Sequence, residues 1–165
     1  MSARDETEGK TGRPTETRNK PERPRDRLGR PLPWEAVGEL ALEDFDSFSL
    51  EENHELGRDH ARAGRWFAAH EAWETAWKQA RDTDEAELFK GLSQMGAGYV
   101  HLLRGNAHGA TTLLRRAARR IARFADGSRG VATRRLAERL AADADAVDRG
   151  DLPPGEGATV EPVEV

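Results

Sequence analysis

The sequence predicts an all-α fold, a compact array of about five to six helices in which most neighbours are antiparallel. Three observations support this prediction. No stretch alternates apolar and polar residues with β-branched enrichment over more than a few positions, as a strand would. Apolar residues recur instead at helical spacing, and capping residues and glycines punctuate the chain. The loops between long helices are short, which favours antiparallel packing of sequential helices.

Capping signals define the predicted helices in order. Ser49 and Glu52 form a capping-box pattern that starts the first helix, and Gly64 is a plausible left-handed cap at its end. Gly105 ends the third helix in the same way. In chain order, the helices are expected to run from Ser49 to about Gly64, from about Arg65 to Arg81, from Thr83–Asp84 to Arg104, from Asn106 to about Phe124 and from about Gly130 to Arg149.

The ends of the chain differ in composition from this helical region. Charged residues make up 34% of the chain and hydrophobic residues 36%, which is low for a chain packed throughout. We expect a disordered or extended arm at 1–33, a single helical domain at 34–149 with its core at 50–124, and a mobile acidic tail at 150–165. Within the arm, two leucines and Trp34 suggest that 28–34 packs across the domain as a strap, with a recognition peptide as the alternative.

Composition excludes several classes of function. The chain has no cysteine, which rules out disulfides, a thiolate metal site and a cysteine nucleophile. No apolar run reaches the roughly 18–20 residues of a membrane span, and no apolar stretch follows Met1 as in a signal peptide. We therefore expect a cytoplasmic protein that has no contact with a membrane.

Arginines cover one face of the fourth predicted helix and suggest phosphate binding. All but four of the 26 basic residues are arginine, a skew that codon bias explains, and the net charge is −4. A nucleic-acid binder is therefore the least favoured of three functions considered. The sequence leaves open a protein or small-molecule partner and the formation of homo-oligomers.

The second predicted helix carries polar residues on an apolar face. His70, Trp73, Glu74 and Trp77 are spaced three, four and seven residues apart, so they share one side of a helix. A charged carboxylate in a dry environment requires an arginine, a protonated histidine or a metal ion as its partner. Glu71 lies about 100° around the helix from His70 and reaches the edge of this face at best.

The third predicted helix is expected to face this polar pair. Glycine costs roughly 1 kcal/mol relative to alanine in a helix, so the three at 91, 96 and 98 imply a close approach of another helix. The tryptophan-bearing second helix is the simplest neighbour. It would place Gln94 and His101 opposite His70 and Glu74.

Two interpretations of this cluster remain open. The functional one is a divalent metal site formed by His70, Glu74 and His101, in which Glu71 or Gln94 orients or deprotonates a water, as in a metal-dependent hydrolase. The other is a hydrogen-bonded network that fixes helix register in a binding or structural module, and the sequence slightly favours it. The side chains expected to line the cluster are Trp73, Trp77, Tyr99, Arg104 and Asn106.

Three other basic side chains were assigned from position alone. Arg104 is expected to cap helix carbonyls or to pair with Glu74 or Glu71. His54 and His60 lie on the first predicted helix but not on one face, so we expect them to be exposed or partly buried rather than ligands.

Three segments of the chain resemble the domain of unknown function 309 family. They are Gly64–Trp77, which contains the A-H-E-x-W-E-x-x-W pattern, Leu88–Gln94, and His101–Ala110 with its R-G-N turn. Ser93 stands where that family usually has an apolar residue. The resemblance implies a compact all-helical fold and a cytoplasmic prokaryotic protein. It also implies the label of predicted metal-dependent hydrolase, which depends on the same His and Glu residues.

Overall fold

The computed structural model describes residues 22–165, and this part of the chain contains five α-helices and no β-strand beyond one isolated bridge. The helices are α1 (Leu50–Arg62), α2 (Trp66–Gln79), α3 (Ala86–Leu103), α4 (Ala107–Ile121) and α5 (Thr133–Arg149), with short 3₁₀ turns at Phe45–Ser47 and Ser128–Gly130. The predicted all-α class and the order of five helices are confirmed.

Two predicted helix starts have the expected caps. The Ser49 hydroxyl accepts the Glu52 N–H at 3.3 Å while the Glu52 carboxylate accepts the Ser49 N–H at 2.8 Å. The Asn106 side-chain oxygen accepts the Gly109 N–H at 2.9 Å. These contacts satisfy N–H groups that have no partner inside the helix.

The start of α3 differs from the prediction. It begins at Ala86 without a side-chain cap, because the Thr83 hydroxyl donates to the carbonyl of Ala80 at 2.8 Å. Thr83 therefore belongs to the turn that follows α2. At the other end, Gly105 adopts a left-handed φ of 81°, as a helix-ending glycine should.

Helix α3 is the centre of the array. It packs against α2 on one side and α4 on the other, while α1 covers α2 and α5 covers α4. Its apolar side chains are fully buried: Leu88, Phe89, Leu92, Met95, Tyr99 and Leu102. Burying side chains of this size contributes about 1.5–3 kcal/mol each. A residue on α2 or α3 that faces the other helix is therefore held by a packed core.

The glycines of α3 face two different helices. A Cβ added at Gly96 would lie 2.9 Å from the Cα of His70, so Gly96 lets α2 come close. At Gly91 and Gly98, an added Cβ would lie 2.9 Å from side-chain atoms of Ile121 and Leu114 on α4. The predicted close approach to α2 therefore applies to Gly96, while the other two admit α4.

Residues 1–21 of the predicted arm lie outside the described residues. The segment 22–42, which we call the strap, contains no helix and lies over α2 and α3. Leu28 is buried, and its carbonyl accepts two hydrogen bonds from the Arg104 guanidinium, at 2.6 and 3.1 Å. Trp34, by contrast, is 59% exposed, so it does not take the packing role predicted for it.

The last residues of the chain contact the helices. Val163 and Val165 are buried, and Arg139 donates to the carbonyl of Glu161 at 3.0 Å. Two valines in a Pro- and Glu-rich segment give no periodic signal, so these contacts could not be predicted from the sequence. The predicted mobility of 150–165 stays a prediction.

Within residues 22–165, no helix combines the length and the apolar character that crossing a bilayer requires.

Candidate metal site between α2 and α3

Ser93 on α3 fixes the imidazole of His70. Its Nδ1 lies 3.0 Å from the Ser93 carbonyl oxygen and 2.9 Å from the Ser93 hydroxyl oxygen, and that hydroxyl also donates to the His70 carbonyl at 3.2 Å. A carbonyl only accepts, so Nδ1 carries a proton and donates it to this carbonyl. The other ring nitrogen, Nε2, lies near side chains of α2 itself.

Nε2 of His70 faces two carboxylates. It lies 3.4 Å from a Glu74 oxygen and 3.7 Å from a Glu71 oxygen. One ligand atom from each of the three residues lies within 4.8 Å of the others. If Nε2 carried only a lone pair, three electron-rich groups would face one another, and a cation bound between them would relieve this repulsion.

Solvent reaches this cluster. The side chains of His70, Glu71 and Glu74 are 24%, 36% and 31% exposed, so the predicted dry environment is wrong. The other oxygen of Glu74 pairs with Lys78 Nζ at 3.0 Å. Glu74 thus already has one exposed cationic partner, and such surface pairs contribute at most about 1 kcal/mol.

His101 does not join this group. Its Nδ1 accepts a hydrogen bond from the side-chain amide of Asn106 at 2.9 Å, and the same Asn106 caps α4. Burial, followed by the nearby charge of Arg104, lowers the pKa of His101, which favours the neutral ring. The structure therefore gives His101 and Asn106 a shared role at the start of α4.

Gln94 was predicted to face His70, but it faces α4. Its side-chain oxygen accepts from Arg120 Nε at 3.0 Å, and Arg120 also forms an ion pair with Glu87. Adjacent helical residues point about 100° apart, so a one-residue error in the facing position changes the neighbour. The residue that does face His70 is Ser93, one turn before Gly96. A small polar residue one turn before a glycine that lets a neighbouring helix come close is the sequence pattern that could have indicated this contact.

Residues 55–113 match the model of a family described as Domain of unknown function (DUF309). The chain is therefore similar to this family over residues 55–113. The matched range includes α2, α3 and the first part of α4, and with them His70, Glu71, Glu74 and Ser93. This match confirms the resemblance seen in the sequence. Comparisons with curated proteins and with solved structures gave no match.

Trp73 and Trp77 of α2 face different neighbouring helices, and only Trp77 shares the α3 side with His70. Trp73 is fully buried on the α1 side, where its indole N–H donates to Nδ1 of His54 at 3.1 Å. Trp77 lies beneath Lys90, whose Nζ is 4.9 Å from the ring centroid. Because α1 and α3 flank α2 on two sides, the predicted single stripe divides between them.

Tyr99 and Arg104 also act elsewhere. The Tyr99 hydroxyl donates to Asp143 at 2.6 Å and joins α3 to α5, and burial raises its pKa well above 10. Arg104 holds the strap through the Leu28 carbonyl, which is neither of its two predicted roles.

His54 and His60 are buried, contrary to the prediction. Nε2 of His54 donates to the carbonyl of Arg129 at 2.9 Å, so both of its ring nitrogens are used inside the protein. Nε2 of His60 lies 3.1 Å from a Glu43 oxygen, and its Nδ1 accepts from Arg65 at 2.9 Å. Polar partners on both nitrogens let these rings occupy the interior.

Proposed function

We propose that this helical domain binds one divalent metal ion through His70, Glu71 and Glu74. One observation carries the proposal. The Nδ1 proton of His70 is committed to Ser93, so Nε2 is the free nitrogen, and it faces two carboxylates 3.4 and 3.7 Å away. Histidine ligands to metals commonly use one nitrogen in this way while the other donates to a carbonyl or carboxylate.

The spacing of the three donor atoms fits an ion. Bonds of about 2.1 Å at tetrahedral angles place two ligand atoms about 3.4 Å apart. The His70–Glu74 separation is 3.4 Å and the His70–Glu71 separation is 3.7 Å, so small side-chain rotations would complete the geometry. One imidazole and two carboxylates suit zinc or manganese.

If the site is catalytic, we propose that the protein is a metal-dependent hydrolase. A bound divalent ion would supply a Lewis acid and an acidified water. Three protein ligands and partial exposure leave coordination positions open to solvent and substrate, as in catalytic rather than structural sites. Ser93 orients His70, and Glu71, earlier considered as a base, is assigned as a ligand.

A structural module is the second candidate, and the Lys78–Glu74 ion pair favours it. In that account Nε2 carries a proton and pairs with Glu71 and Glu74 within α2, while the contacts of His70 with Ser93 hold α2 and α3 in register. Glu74→Gln would then lower the free energy of unfolding by about 1 kcal/mol, and no metal would bind.

Equilibrium dialysis with ZnCl2 and MnCl2, read out by elemental analysis, separates the two candidates. We expect one ion per chain in the unaltered protein, and loss of that ion in His70→Ala and in Glu71→Gln/Glu74→Gln. His108→Ala is the matched control, because His108 is an exposed histidine on α4. Absence of stoichiometric metal, together with a destabilised Glu74→Gln protein, would establish the structural module instead.

A further inference from the structure

A cavity of about 440 Å³ lies next to the proposed metal site, between the strap and α2. Glu71 and Phe67 line it on the α2 side, and Glu22, Arg23 and Arg25 line it on the strap side. Its volume is within the range of small-molecule pockets, about 300–1,000 Å³. One proposed metal ligand thus contributes directly to the cavity wall.

Among residues 22–165, the two arginines of this wall each donate one side-chain hydrogen bond and keep further donors without a partner. Nε of Arg23 donates to the Leu32 carbonyl at 2.5 Å, and Nη1 of Arg25 donates to the Gly29 carbonyl at 2.7 Å. Within residues 22–165, neither guanidinium has a carboxylate at ion-pair distance, whereas Arg27 in the same strap pairs with Glu156 at 3.1 Å. A guanidinium offers five N–H donors and matches the geometry of an oxyanion.

Apolar side chains form one part of the cavity wall. Leu40 and Leu42 of the strap face it together with Phe67, and the guanidinium carbon of Arg25 lies 6.0 Å from the centroid of the Phe67 ring. The Phe67 ring centroid lies 6.2 Å from that of His70. Phe67 therefore stands between the arginine and the metal site, where it can contact the organic part of a ligand.

We propose that this cavity binds a small organic anion whose oxyanion, a phosphate or a carboxylate, is held by Arg23 and Arg25 while its apolar body packs on Phe67. The anion is the substrate class of the proposed metal site, and only this role rests on the proposed function. Binding itself depends on the arginines and the apolar wall.

The position of Glu71 couples the two sites. Its carboxylate repels an anion in the cavity, and a divalent ion at the cluster would neutralise that charge. Metal should therefore strengthen anion binding, and the anion should strengthen metal binding by the same factor. A coupling of about tenfold lies within the usual range for such linkage.

Isothermal titration calorimetry on the full chain, with and without MnCl2, tests the proposal. The probes are phenyl phosphate, benzoate and the neutral benzyl alcohol. Comparison of the first two distinguishes a phosphate from a carboxylate site. The test variant is Arg23→Gln/Arg25→Gln, and the control is Arg27→Gln, which alters an arginine of the same strap that does not line this cavity.

We expect at least one of the two anions to bind, at least tenfold weaker binding in the double variant and less than twofold change in the control. Phe67→Leu keeps both arginines, so it should weaken phenyl phosphate but not inorganic phosphate. If the double arginine variant loosens the strap, Phe67→Leu still tests whether the ligand binds in this cavity. Equal binding of benzyl alcohol, or anion binding that survives the loss of both arginines, would overturn the proposal.

The metal titration is read separately. If Mn²⁺ does not bind, the proposed function fails, but anion binding that depends on the arginines in the metal-free protein would still support the cavity assignment. If Mn²⁺ binds and neither anion does, the metal site stands and the cavity assignment fails.

Discussion

At the scale of single residues, the contact that matters most is between His70 and Ser93. A histidine at this position of α2 would rotate freely if only Glu71 and Glu74 faced it. Ser93 holds the ring by its carbonyl and its hydroxyl, and so directs Nε2 toward the carboxylates. This orienting role makes Ser93 a residue whose loss should affect binding more than folding.

Ser93→Ala tests that role. The variant removes the hydroxyl contacts and keeps the carbonyl, so we expect zinc affinity to fall about tenfold, the lower end of the 10–100-fold effect typical of residues that orient metal ligands. The free energy of unfolding should fall by only about 1 kcal/mol. Calorimetric zinc titration and urea unfolding measure the two quantities. The control is Ser128→Ala, which removes a hydrogen bond from a serine hydroxyl to the Ala125 carbonyl outside the cluster. Unchanged zinc affinity would remove Ser93 from the site.

The buried His54 predicts how stability responds to pH. Burial lowers the pKa of His54 below its ordinary value of 6.5, because the charged ring loses its hydration there. A second proton on Nδ1 would also break the hydrogen bond that Trp73 donates to this nitrogen. His101 shifts in the same direction. The folded protein therefore prefers neutral rings. This stabilisation is complete above pH 6.5 and is lost as the pH falls through 6.5 toward the lowered pKa values.

Urea unfolding at pH 7.5, 6.5 and 5.5 measures this effect. The free energy of unfolding should decrease at each step, and the decrease should be smaller in His54→Gln. A value that is constant or rises toward pH 5.5 would show that His54 accepts a second proton without cost.

At the scale of elements, the interface of α2 and α3 depends on Gly96. A side chain there would meet the backbone of His70 rather than the flexible end of a side chain, so the neighbour cannot move aside. The same close approach brings Ser93 within hydrogen-bond reach of His70. The packing of the two helices and the geometry of the cluster thus have one cause.

Gly96→Ala should destabilise the protein even though alanine favours helix by about 1 kcal/mol. We expect a net loss of about 1–3 kcal/mol, as for other overpacked interfaces, and weaker zinc binding as Ser93 moves from His70. Thermal unfolding and zinc titration measure these changes. The control is Gly157→Ala, where an added Cβ meets nothing within 4 Å and φ is not left-handed. If Gly96→Ala stabilised the protein, α2 and α3 could move apart at this contact without a cost in free energy.

At the scale of the whole molecule, the strap connects distant parts of the chain. Arg104 at the end of α3 holds the Leu28 carbonyl, and Glu156 near the other end of the chain pairs with Arg27 and Arg30. Most of these ion pairs are exposed and weak. The partly buried Arg104 contact is therefore expected to contribute most to holding the strap over α2 and α3.

Arg104→Gln should release the strap without unfolding the helices. A hydrogen bond from a charged group contributes about 1.5–3 kcal/mol, so amide hydrogen exchange should accelerate at least tenfold in residues 25–32 and stay unchanged in α3. Arg149→Gln removes an exposed arginine paired with Asp151 and serves as the control. If the amides of the strap exchange equally slowly in both variants, the burial of Leu28 alone holds the strap in place.

Most of the fold could be predicted from the sequence, because caps and periodic apolar residues are local signals. The capping box at Ser49, the Asn106 cap and the five-helix order all follow from residues a few positions apart. The strap contact of Arg104 could not be predicted, since it joins residues far apart in sequence and carries no periodicity.

The candidate site was predicted in part. Helical spacing brought His70 and Glu74 together, but it assigned Gln94 and His101 to a face they do not occupy. Spacing within α3 does not determine how that helix is rotated relative to α2. The rotation of α3 depends on which of its glycines lies against α2 and which lie against α4. Gly96 lies against His70, and Ser93, one turn before it, therefore faces His70 as well.

The most direct test of the metal site is the anomalous diffraction of zinc in crystals of the unaltered chain soaked in ZnCl2. The proposal requires one strong peak about 2.0–2.2 Å from His70 Nε2 and from an oxygen of each of Glu71 and Glu74. It also requires His70 Nδ1 to remain hydrogen-bonded to Ser93. No peak at this cluster, with Nε2 of His70 within hydrogen-bond distance of the two carboxylates, would contradict it.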